Sequence, residues 1–209
     1  MSGAILVMGI LSWPISGSLG FIPHSQINAL KWSIQKGDKA TALSILNTGD
    51  TSPNSQSQGW TMLMHAARSW NHDMVKILLE RGADPDAKGT GGANALTIAA
   101  EDGSTDIARL LLQYHVNVNT RNANGTTALM YAAENCHQDF VDILIRAGAD
   151  LSHHDNDGES AVMIVRRRGH IDVLRLLLSA GASYEPPRSF PDRPSSQSLC
   201  HSRPVTPKP

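Results

Sequence analysis

The chain has 209 residues, 41% of them hydrophobic and 5% aromatic, enough for one packed body built on aliphatic side chains. A formal net charge of -1 provides no general attraction to nucleic acid or to an anionic membrane, so no nucleic acid is expected as a partner and a membrane only through residues 4–22. Cys136 and Cys200 are the only cysteines, one mid-chain and one in the tail, which argues against a disulfide framework and for a reducing compartment.

Residues 1–30 carry no Asp, Glu, Lys or Arg. Ala4 to Leu11 reads AILVMGIL, an apolar run of signal-peptide length, and Ser16-Gly17-Ser18 supplies small residues where a peptidase would cut. No basic residue precedes the run, as one ordinarily does in a signal peptide. The uncharged stretch 4–22 approaches the length of a membrane span, but Pro14 and several glycines and serines interrupt it. Residues 1–24 are read as a flexible or cap-packing leader, with a signal segment or a membrane tether as the alternative.

From Ile27 the apolar positions take helical spacing. Ile27, Leu30 and Ile34 share one face, Gly37 ends that helix, and Leu43, Ile45 and Leu46 begin another. The sequence then repeats itself. Gly59, Gly92, Gly125 and Gly158 fall 33 apart, as do Ala67, Ala100 and Ala133, and Gly82, Gly148 and Gly181 keep the same phase. On these residues the chain resembles the ankyrin-repeat family. The resemblance implies an all-α ankyrin-repeat solenoid of helix-turn-helix units joined by β-hairpin-like loops. Five repeats are expected within 25–185: a degenerate cap at 25–56, then 57–89, 90–122, 123–155 and 156–185. The Pro/Ser/Arg-rich tail 186–209 is expected to be disordered.

Each full repeat opens with the glycine of the series and, two residues later, a capping side chain: Thr61, Asn94, Thr127 or Ser160, each able to accept from free helix amides. The family usually has Thr-Pro-Leu-His here; this chain has TMLM, NALT, TALM and SAVM, so the proline that pre-sets the first helical angle is missing and softer helix starts are expected. The pairs Ala66-Ala67, Ala99-Ala100 and Ala132-Ala133 let helices approach closely, and Met64, Met130 and Met163 read as packing residues. The last repeat has Val165-Arg166 at the alanine positions, which places Arg166 on the outer face of a cap. Trp70 and Cys136 stand where the family prefers glycine between the helices. The left-handed residue is therefore expected to move to Asn71 or Asn135.

The chain has nine histidines without metal-site spacing; neither His153-His154-Asp155 nor Cys136-His137 has a CxxC or HExxH pattern, so no metal is expected. Gly89-Thr90-Gly91-Gly92 lacks the Lys-Ser/Thr of a phosphate loop and reads as a mobile finger between repeats. No cofactor and no catalytic residue is expected, and the chain is not read as an enzyme.

The family resemblance implies instead a protein-binding module acting as adaptor, scaffold or regulator through a concave surface of hairpin tips and first-helix faces. By phase, that surface comprises Trp60, Thr90, Thr126 and Glu159 from the turns. The first helices add Arg68, Ser69, Glu101, Asp102, Glu134, Asn135, Arg167 and Arg168. Along the helices the charges run basic, acidic, acidic, basic, which would match a partner segment that is positive at its centre and negative at its ends. Trp60 is the best single anchor. In the tail, Arg188, Pro191 and Pro194 have the spacing of an SH3-domain ligand, and Thr206-Pro207 that of a proline-directed phosphorylation site. Asn124-Gly125-Thr126 is a glycosylation sequon that matters only if the leader is a signal, and Asn119 occupies a hairpin asparagine position hydroxylated in some members of the family. A cytoplasmic or nuclear location is expected, with a secreted or membrane-tethered protein using the same surface as the alternative.

Overall fold

A computed structural model describes residues 24–183, and within them the chain forms five consecutive helix-turn-helix pairs. α1 (His24–Lys36) pairs with α2 (Lys39–Asn47), and α3 (Met62–Arg68) with α4 (His72–Glu80). α5 (Ala95–Asp102) pairs with α6 (Thr105–Gln113), α7 (Ala128–Glu134) with α8 (Gln138–Arg146), and α9 (Ala161–Arg168) with α10 (Ile171–Ser179). Strands β1 (Gln56–Ser57) and β2 (Trp60–Thr61) make an antiparallel hairpin in which Ser57 faces Trp60. Gln58 and Gly59 form its two-residue loop, both at positive φ (54° and 76°), the geometry that matches the strand twist. Single bridges Arg121–Thr127 and His154–Ser160 repeat the hairpin at the same phase.

First helices stack on first helices and second on second, giving two layers of an open solenoid. The layers close because Ala66, Ala67, Ala99, Ala100, Ala132 and Ala133 are fully buried and bring backbones together, while Leu78, Leu111, Phe140 and Leu144 fill the space behind them. Each such large side chain contributes about 1.5–3 kcal/mol. Met64 and Met130 are buried in the same core, as expected of packing residues, and Met163 is half-buried. Val165 is fully buried and Arg166 half-buried, in place of two fully buried alanines.

The helix starts are capped despite the missing proline. Thr61 Oγ1 accepts from Met64 N at 3.1 Å, Asn94 Oδ1 from Thr97 N at 3.0 Å, Thr127 Oγ1 from Met130 N at 3.4 Å and Ser160 Oγ from Met163 N at 3.3 Å. Each cap contributes about 1 kcal/mol.

Three expectations need correction. The left-handed residue does not move: Trp70 (φ 56°) and Cys136 (φ 61°) adopt it themselves. Asn71 is held at φ -95° because its side chain caps α4, accepting from Met74 N, and Asn135 closes α7 at φ -91°. Stacking sets where each second helix must begin, so the residue at that phase takes the turn whatever its side chain.

Second, Gly89-Thr90-Gly91-Gly92 is not a mobile finger. Gly89 N bonds Ala93 O at 2.9 Å, Thr90 N bonds Gly59 O at 2.6 Å, and Gly91 O accepts from Ala123 N at 2.7 Å. A Cβ on Gly89 would stand 2.7 Å from the Gly59 carbonyl, so glycine there permits one hairpin to lie against the next. Third, Cys136 is disulfide-bonded rather than free.

Candidate partner-binding surface

The hairpins project from the first helices as one continuous row. Thr90 N reaches Gly59 O, Ala123 N reaches Gly91 O, and Asn156 N reaches Asn124 O at 2.9 Å, so each tip hydrogen-bonds to the one before it. The Asn156 side chain adds a bond to Ala123 O at 2.9 Å. Lower on the same loops, Asn119 accepts from Asp150 N at 2.8 Å and donates to Gly148 O at 3.4 Å. The Asn119 amide is thus engaged at both ends.

Trp60 stands on β2 half-buried, not splayed into solvent. Its ring lies 5.6 Å from that of His65, and the Arg68 guanidinium sits over it at 5.8 Å, a cation–π arrangement. His65 is 7% exposed, and its Nε2–H donates to Ser57 O at 3.1 Å, tying α3 to its own hairpin. Burial holds the His65 pKa below its usual 6.5, opposed by the Ser57 bond and reinforced by Lys31. In the third hairpin the same job falls to Tyr131, whose hydroxyl accepts from Asn122 Nδ2 at 3.1 Å. Burial raises the Tyr131 pKa, and the Glu101 and Glu134 carboxylates push the same way.

The charged strip pairs with itself. Arg68 reaches Asp102 at 2.7 Å and Glu101 at 3.2 Å across one repeat boundary, and Arg168 pairs with Glu134 across another. Arg167 makes a two-armed bond to Glu159 at 3.0 and 2.8 Å. The basic-acidic-acidic-basic order is therefore a set of bridges between neighbours, which leaves less free charge for a partner than the order alone implies. Of the other turn and helix positions, Thr90 and Asn135 are exposed, while Ser69 and Thr126 are half-buried. Asn135 Nδ2 donates to Tyr131 O at 3.1 Å, and Thr126 N donates to Asn122 Oδ1 at 2.9 Å. Asn124 is exposed at its tip. Arg188, Pro191, Pro194, Thr206 and stretch 4–22 lie outside the described residues.

Sequence reasoning missed His137 and His170. Each opens a second helix and donates from Nε2 to a carbonyl of the preceding repeat: Glu101 O at 3.1 Å and Glu134 O at 2.9 Å. Their spacing of 33 was visible, but only the stack shows what the rings reach.

A model of three tandem ankyrin repeats matches residues 19–89 and again 87–155, and a single-repeat model matches 157–186. The chain belongs to the ankyrin-repeat family. Among curated ankyrin relatives, the Carollia perspicillata "Ankyrin repeat, SAM and basic leucine zipper domain-containing protein 1" is 36% identical over 66 residues, 31% of this chain and 14% of the relative. The Ornithorhynchus anatinus protein of that name is 44% identical over 55 residues, 26% and 12% of the two chains. The Mus musculus "2-5A-dependent ribonuclease" is 31% identical over 86 residues, 41% of this chain and 12% of the relative. The alignments thus span only a small fraction of these relatives' length. Among the described residues of this ankyrin array, no group of three or more His, Cys, Asp or Glu side chains could hold a metal, and no helix is long and apolar enough to cross a membrane.

Proposed function

We propose that the chain is a non-catalytic binding module that holds another protein, as adaptor, scaffold or regulator, against the row of hairpin tips and first-helix faces. The observation that carries this is the tip-to-tip hydrogen bonding from Gly59 to Asn156, which pre-organises one extended face. A partner meeting a rigid row loses less free energy to ordering than one meeting separate loops. Trp60, Thr90 and Thr126 are the turn contacts, Arg68, Ser69, Glu101, Asp102, Glu134 and Asn135 line the helical floor, and Glu159, Arg167 and Arg168 close one end. The ribonuclease relative is matched over 12% of its length, so the activity in its name is not carried to this chain. The test compares proteins retained from a cell extract by wild type, by Trp60→Ala/Glu134→Ala, and by Arg146→Ala on the outer face of α8. Loss in the first variant alone is expected; equal retention by all three would overturn the proposal.

The second reading places the same surface in a secreted or membrane-tethered protein. The disulfide at Cys136 favours it, since such bonds persist mainly in oxidising compartments. N-terminal sequencing of the mature protein decides between the two: a start beyond Ser18 supports export, and an intact Met1 or Ser2 opposes it.

A further inference from the structure

Asparagine side chains hold the loops of this array together. Asn71 and Asn94 cap helices, Asn54 and Asn119 tie one loop to the next, and Asn122 and Asn156 fasten the hairpin tips. Every other asparagine but one is likewise hydrogen-bonded through its side chain. The exception is Asn124. Exposed at the tip of the third hairpin, it uses only its backbone: its N–H donates to Asn122 Oδ1 at 2.9 Å, and its O accepts from Asn156 N at 2.9 Å. Asn124 is also the only asparagine in the chain that is followed by glycine.

Together these two properties define a reaction. The Asn124 carboxamide is free to turn back on the main chain, and Gly125, lacking a Cβ, does not shield its own backbone nitrogen from it. We propose that Asn124 is a site of spontaneous intramolecular deamidation. The Gly125 nitrogen loses its proton to solvent base and bonds to Asn124 Cγ; the Cγ–Nδ2 bond breaks, and the amide nitrogen leaves as ammonia after taking a proton from water. The product is a five-membered succinimide. Water then opens that ring at either carbonyl, giving aspartate or isoaspartate. One water is consumed and one ammonia released, with no oxidant or cofactor. The Gly125 N–H donates to Asn122 O at 3.0 Å, so that bond opens first, a local event at an exposed tip.

The fold treats the two products differently. In the next hairpin Asp157 stands at the same phase before Gly158, and its N–H donates to Asp155 Oδ1 at 3.0 Å as that of Asn124 does to Asn122. Aspartate at 124 therefore keeps the tip. Isoaspartate runs the main chain through Cγ, adds a methylene, and moves the carbonyl that accepts from Asn156 N, separating two hairpins of the row. The reaction belongs to the chain alone; that it also loosens a partner rests on the binding role proposed above.

The test ages the full chain, expressed in bacteria, in mildly alkaline buffer at physiological temperature, with peptide mapping by mass spectrometry at intervals. Aspartate and isoaspartate should accumulate at 124 at least about tenfold faster than at any other asparagine. Conversion should slow in mildly acidic buffer, where less of the Gly125 nitrogen is deprotonated, and should be absent in Asn124→Gln. Hydrogen exchange at the Asn156 amide should quicken at least about tenfold in the isoaspartyl fraction, while Asn124→Asp keeps the wild-type rate. An Asn124 that persists in the folded chain but converts after unfolding in urea would overturn the proposal. So would conversion spread evenly over several asparagines, or an Asn156 amide that exchanges no faster in the isoaspartyl fraction. All of these readouts are made without a partner, so failure of the binding role leaves them intact.

Discussion

The guanidinium of Arg68 on α3 donates to the Asp102 carboxylate on α5 at 2.7 Å and so bridges two repeats. With Arg168 on Glu134 and Arg167 on Glu159, it turns the charged floor of the concave face into internal pairs. Binding there should depend weakly on salt, with Kd changing less than about threefold between about 50 and 500 mM NaCl. Isothermal titration with the captured partner at several salt concentrations measures this. A steep dependence would restore the idea of a partner with complementary charge.

His137 and His170 anchor two consecutive boundaries through carbonyls of the preceding repeat. Replacing His137 by Ala should lower stability by about 1–2 kcal/mol, because a bond is lost and the Glu101 carbonyl is left bare. Ser104→Ala, at the boundary without that bond, should cost less or even stabilise. Urea midpoints of the two variants check the contrast, and equal losses would contradict it.

His115 occupies the phase held by Gly82, Gly148 and Gly181, and its φ of 59° matches the left-handed turn they make. The side chain is exposed, so the backbone strain has little packing to offset it. His115→Gly should therefore raise stability by up to about 1 kcal/mol, the gain being reduced by glycine's greater freedom in the unfolded chain. A lower urea midpoint for the variant would show that the imidazole has a role the turn geometry does not reveal.

Burial, the largest influence on His65, holds its folded-state pKa below the usual 6.5. The unfolded chain then binds more protons in the range below 6.5, so stability is fully present above that value and falls as pH drops through the lowered folded pKa. His65→Gln should flatten the acid-side fall relative to wild type. Thermal melts at pH steps from about 7.5 down to 4.5 test this; parallel curves would exclude His65 as the cause.

Much of the architecture was legible before any coordinates. The recurrence of Gly59, Gly92, Gly125 and Gly158 marks hairpin turns, and Thr61, Asn94, Thr127 and Ser160 cap the helices as their chemistry demands. Each of these is a local event, settled within a few residues by backbone conformation and hydrogen bonding. The buried alanine pairs follow from the same period, because every repeat meets its neighbours in the same way.

Only the stack decided what lies across a boundary. The partners of Arg68, Glu101, Glu134 and Arg168 are about 33 residues apart in sequence, and the rise and twist between repeats bring them together. The same packing forces Trp70 and Cys136 into a left-handed turn that single-residue preference would have passed to asparagine, and it binds the glycine finger to its neighbours. Sequence by itself determined the repeated unit, since that unit rests on short-range interactions. Tertiary structure decided which charges are paired, which turns are strained, and which asparagine is left with an unbonded side chain, because those depend on contacts that no single repeat contains.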